Sequence, residues 1–191
     1  MFSTYSPVHY INSTSQKAPF LLASQLLTLL KSESFLCVPP VFICIGTDRI
    51  IGDSLGPVIG SMLYHCSDFT FPVYGTLEQP IHALNLDDHL DEINQKHPHA
   101  PLIAIDASLG SKKHQQYITI SHSALSPGKA MAKTLSQVGD ISITGIISQS
   151  GKNAFFALQN TRLSRVITLA ECITAGICLA CSNWNHVNSD I

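Results

Sequence analysis

The chain is short of charge. Only 13 % of its 191 residues are Asp, Glu, Lys or Arg, against a usual share of about a quarter. Its 11 basic and 13 acidic residues give a formal net charge of −2 and form no long run of either sign. It therefore lacks the basic footprint of a nucleic-acid binder, and no nucleic-acid partner is expected. A surface with so few charges implies either a thickly covered sheet or an apolar face used in self-association, so a homo-oligomer is plausible. Hydrophobic residues make up 45 %, yet no run reaches the roughly 18 apolar residues of a membrane span. The apolar stretch from Ala18 to Leu30 follows Lys17 and sixteen mostly polar residues, with no small-residue cleavage site behind it. A core helix fits that stretch better than an export signal, and we expect a soluble, cytoplasmic protein.

Several catalytic signatures are also missing. There is no GxSxG elbow and no Walker loop, and Gly46, Gly52 and Gly56 do not have the spacing of a dinucleotide fingerprint. Nine histidines are present without HExxH spacing, and Cys178-Leu179-Ala180-Cys181 has no second CxxC to complete a zinc site. The six cysteines, Cys37, Cys44, Cys66, Cys172, Cys178 and Cys181, lie in a long apolar chain without an export signal. Buried thiols in a reducing compartment are the expectation, and core packing for the terminal pair.

What is present is an alternation of strands and helices. At 191 residues the chain suits one domain, with residues 1–15 as a polar extension and residues 182–191 as a flexible tail. Phe20, Leu21, Leu26, Leu27 and Leu30 share one broad side of a helix over 16–31. Val41, Phe42, Ile43 and Ile45 form an apolar run without polar alternation, as in a strand buried on both faces of a parallel sheet. A helix over 54–66, a strand over 72–77, a helix over 82–95 and a strand over 102–106 follow. Further β-rich runs at 116–121 and 141–147 precede a long helix over 161–181. This order predicts a three-layer α/β/α domain with a mixed, largely parallel sheet.

In such sheets ligands sit beyond the carboxyl ends of the strands. Gly46 ends the first buried strand there and delivers Thr47, Asp48, Arg49 and Asp53. An aspartate before a helix usually caps it, but Pro57 fits the first turn better with Ser54 as the cap, which leaves the Asp53 carboxylate free. Asp106 ends the apolar run Leu102-Ile103-Ala104-Ile105 at the same sheet edge, where it either closes a local turn or faces the crevice. Two carboxylates in one crevice can share a proton and activate water, or together ligate a divalent metal. Arg49 can pair with a carboxylate or hold that of a substrate, and Glu78 points to the same edge. His82, just past the second strand, is the best placed histidine for a third ligand or proton carrier.

The segment from Gly46 to Pro57, together with Gly75-Thr76-Leu77-Glu78, Asp106-Ala107-Ser108-Leu109-Gly110, Ser126-Pro127-Gly128, Val138-Gly139-Asp140 and the run from Leu158 to Leu163, resembles the YyaC family of sporulation proteins. That family is similar to the spore germination protease and, more distantly, to the hydrogenase maturation peptidases. In all of them a glycine ends the first strand and an acidic residue follows seven positions later, the spacing of Gly46 and Asp53. The germination protease continues into Asp-x-Leu-Gly-Pro and carries a later Ile-Asp-Ala, matched by the segments 53–57 and 105–107. The resemblance implies a hydrogenase maturation peptidase-like, phosphorylase/hydrolase-like fold and a peptidase whose catalytic aspartates are Asp53 and Asp106. Thr47, Asp48, Arg49, Glu78, Ser108 and Lys133 are the expected supporting residues, and the resemblance implies a peptide or small protein as substrate in a sporulating cell or spore. The maturation peptidases hold nickel with a glutamate, an aspartate and a later histidine, and neither His114 nor His122 matches that histidine. No resident cofactor is therefore expected, a divalent metal being conceivable only through Asp53 and Asp106. The alternative is a non-catalytic module that binds a peptide or a protein in the same crevice.

Overall fold

The computed structural model describes residues 7–31, 38–127, 136–151 and 153–189. Its elements run β1 (His9–Asn12), α1 (Ala18–Leu30), β2 (Val41–Cys44), a 3-10 turn (Ile51–Asp53), α2 (Leu55–Tyr64), β3 (Val73–Tyr74), α3 (Leu86–Lys96), β4 (Leu102–Gly110), β5 (Tyr117–Ser121), β6 (Ile141–Gln149), α4 (Ala154–Gln159) and α5 (Leu163–Ser189). The six strands form one sheet in the order β1-β5-β6-β4-β2-β3. Strands β3, β2, β4 and β6 are parallel, and β5 and β1 continue the sheet antiparallel. The expected mixed, largely parallel sheet between helices is present.

Alternation along the strands sorts the apolar side chains into two clusters. Phe42, Cys44, Ile103, Ile105, Ile118, Ile120, Ile141 and Ile143 pack with α1, α2 and α5 in the larger one. Val41, Ile43, Ile45 and Ala104 face the other way, against Leu86 and Ile93 of α3. All four residues of β2 are buried, which is why they show no polar alternation.

Three expectations need correction at the ends of elements. Residues 1–15 are not simply an extension: His9–Asn12 forms the edge strand β1, its backbone paired with β5 from His9↔Ile120 to Asn12↔Tyr117 and its Ile11 buried. Only one of its four side chains turns inward, so hydrophobic patterning had nothing to register. Residues 182–189, expected as a flexible tail, continue α5 to Ser189, where Trp184 at 4 % exposure locks onto the core. The strand placed at 72–77 spans two residues, because at Gly75 the chain turns to φ +86 against the Cys44 carbonyl.

Within α5, Leu163–Trp184 is long and apolar enough to cross a membrane by length and composition. In this fold it is a core helix: Val166, Leu169, Ala170, Ile173, Ile177 and Ala180 are buried against α1, α2 and the sheet.

Candidate active site

The chain leaves β2 through a tight loop that depends on Gly46. Its φ is +145, and a Cβ there would lie 2.0 Å from the Asp53 carbonyl oxygen. No side chain fits such an approach, and this backbone region is essentially closed to other residues. The fold-back is tied by the Gly46 N–H donating to the Ile81 carbonyl at 2.8 Å and the Thr47 N–H donating to the Asp53 carbonyl at 3.1 Å. Gly56 then lets α2 settle on the strand end, since a Cβ there would stand 2.1 Å from the Ile45 carbonyl oxygen. The loop and the helix start are thus pinned to the carboxyl end of β2, and Asp53 is held between them.

Ser54 occupies the N-cap position of α2 and Pro57 the third helical position, as the proline predicts. The hydroxyl does not cap, however. It donates to the Ile51 carbonyl at 2.7 Å and closes the 3-10 turn. The Asp53 carboxylate is likewise not spent on the helix. Burial pushes this carboxyl up to about 6, with a backbone N–H of Thr47 pulling the other way.

Strand β4 does not stop at Asp106, as expected, but pairs with β6 as far as Gly110↔Gln149. What stops is its other neighbour, because β2 ends at the Cys44↔Ile105 pair. Asp106 therefore sits one residue past the end of β2, in the middle of its own strand, on the face it shares with Ala104. It is 9 % exposed, and its Oδ1 accepts from the Ala107 N–H at 2.6 Å. The carboxyl is held well above the usual carboxylate range, first by burial and then by the charge of Asp53. Asp53 thus lies near enough for its charge to oppose the ionisation of Asp106.

The remaining residues are placed less uniformly. Thr47 lies beside Asp53 and its Oγ1 accepts from the Arg49 N–H at 3.3 Å. Asp48 and Arg49 are exposed and form no ion pair among the described residues. Ser108 lies two residues beyond Asp106 and bonds the Thr144 hydroxyl at 3.0 Å, which bonds that of Thr119 at 2.7 Å. Glu78 is exposed beside Ser61 of α2 and lines a cleft of about 370 Å³ along β3 with Tyr64, His65 and Tyr74. Its carboxyl is lowered, chiefly by its own backbone N–H and the Thr76 hydroxyl. His82 is engaged in a local turn, its Nδ1 accepting from the Leu84 N–H at 3.3 Å. Lys133 lies outside the described residues.

Among the described residues no three His, Cys, Asp or Glu side chains come together as a metal-ligand set. The donors among the described residues do not fit a resident nickel. Two features escaped sequence reasoning. Thr144, directly opposite Asp106, and Thr119 extend a polar line across the sheet; the alternation of Ile141, Ser142, Ile143 and Thr144 carried that signal. Helix α4 packs on the 3-10 turn, its Leu158 against Gly52, and leaves Phe155 and Phe156 exposed. At six residues it is too short to show a helical period.

Residues 10–176 match the family model described as "Protein of unknown function (DUF1256)". Over 182 residues the chain is 40 % identical to "Uncharacterized protein YyaC" of Bacillus subtilis (strain 168), a match covering 94 % of this chain and 87 % of that protein. Asp53 and Asp106 fall inside the matched span, and the chain belongs to the DUF1256 family.

Proposed function

We propose that the chain hydrolyses peptide bonds with Asp53 and Asp106 as its catalytic pair. The observation that carries this reading is the Asp106 carboxyl, buried beyond the end of β2 and raised in part by the charge of Asp53. Such an arrangement favours one proton shared between two carboxylates. Asp53, less buried and raised only to about 6, is the ionised member at neutral pH and takes a proton from the attacking water. Asp106 stays protonated and donates to the substrate carbonyl oxygen, then to the leaving amine. Thr47 and Ser108 flank the pair and support substrate alignment. By its resemblance to sporulation proteins, the enzyme would act on a small protein in the cytoplasm of the sporulating cell or spore.

The test is a cleavage assay of the purified protein on small spore proteins and unstructured peptides, with Asp53→Asn and Asp106→Asn alongside. Loss of a positioned acid or base predicts a fall of about 100-fold or more in each variant. Activity should rise through about pH 6 as Asp53 ionises. If the wild type cleaves nothing in any condition yet binds the same peptides, the pair is a binding feature and the catalytic reading fails.

A further inference from the structure

Three cysteines gather far along α2 from the aspartates. Cys66 follows the last turn of α2, and Cys178 and Cys181 lie one turn apart on α5. All three line one surface pocket of about 30 Å³, with Asp68, Phe69, Phe71 and Ser182. That is room for a water-sized molecule. Cys66 and Cys178 line this pocket together, both are half-buried, and the neighbouring Cys66 thiol helps to raise the Cys178 thiol. Cys181, by contrast, is 2 % exposed. All three are free thiols, and core packing alone does not require two of them to meet at the surface.

We propose that Cys66 and Cys178 form a peroxide-reactive dithiol that closes to a disulfide between the end of α2 and α5. Cys66, on the turn outside the helix, is the attacking group. Its thiolate displaces hydroxide from hydrogen peroxide, the O–O bond breaks, and Cys66 becomes a sulfenic acid. Cys178 then attacks that sulfur as the S–O bond breaks, and water leaves. In total two thiols and one hydrogen peroxide give one disulfide and two waters. Burial supports this order, because it pushes the Cys178 thiol up to about 11 and so disfavours it as first nucleophile. The site does not depend on the peptidase reading, since neither aspartate takes part.

The experiment treats the full-length reduced protein with a small excess of hydrogen peroxide and follows intact mass and fragmentation-resolved peptide maps. The expected result is a loss of two hydrogens, a Cys66–Cys178 cross-link, and full reversal by dithiothreitol. Cys181→Ser should still close, whereas Cys66→Ser and Cys178→Ser should not. The wild-type map is decisive even if a variant folds poorly. A cross-link of Cys66 to Cys181 or Cys172, or sulfinic acid on Cys66 without any cross-link, overturns the proposal.

Discussion

Replacing Asp53 by Asn should make the protein more stable at neutral pH. Asp53 has an ordinary value of 3.8 and is raised to about 6 in the fold, so between those limits the native state binds more protons than the unfolded chain. Stability then falls as pH rises through that window, by about 1.4 kcal/mol per pH unit while it lasts. The full rise corresponds to about 3 kcal/mol, and partial exposure of the carboxyl to screening solvent reduces it to about 1.5 kcal/mol. Asn keeps the shape and removes the charge, so that cost disappears. For a chain of this size the melting temperature should rise by about 3 to 6 °C at pH 7. Thermal melts of both proteins from pH 4 to pH 8 provide the assay. The two curves should converge near pH 4, separate up to about pH 6 and run parallel above it. A gap that is the same at every pH, or an Asn variant less stable at pH 7, refutes the argument.

Gly46→Ala should cost about 2 to 6 kcal/mol in chemical denaturation, because it adds a forbidden backbone conformation to a backbone clash with Asp53. Gly151→Ala, with nothing within 4 Å of the new Cβ, should change stability by less than about 0.5 kcal/mol. Trp184→Ala should lower stability by about 3 kcal/mol or more, and the melting temperature by about 6 to 12 °C, since this side chain is packed into the core from a part of α5 that looked like a tail.

The fold was legible where burial and secondary-structure period agree. Fully buried β2 and the isoleucine-rich β4 and β6 announce themselves by composition, and α1 as a helix by its leucines, although its buried side is Ala18, Leu22, Ala23, Leu26 and Leu30, and the expected Phe20 and Leu21 are exposed. Strand β1 and helix α4 were not legible, because four and six residues are too few to show a period and their partners are remote in sequence. Helix α3 begins at Leu86 rather than near His82, because the Asn85 side chain accepts from the His82 N–H and donates to the Pro80 carbonyl, fixing a turn first. The same limits apply to the site. Asp53 could be read from Gly46 and Pro57, which restrict the backbone directly. The surroundings of Asp106 depend on β2 ending one residue before it while β4 and β6 continue, a fact of register between strands. Glu78 follows the Gly75 turn and lines the cleft along β3, a placement set by that turn and not by hydrophobic patterning.

The central claim is that Asp53 and Asp106 titrate as a pair. Carbon-detected NMR of the aspartate carboxyls, following Asp106 in the wild type and in Asp53→Asn across pH 3 to pH 9, tests it directly. In the wild type Asp106 should titrate well above the usual carboxylate range, and in Asp53→Asn its midpoint should move down while staying elevated, because burial remains when the neighbouring charge is gone. An Asp106 midpoint that is unchanged by the substitution, or that lies at the ordinary value in both proteins, contradicts the account.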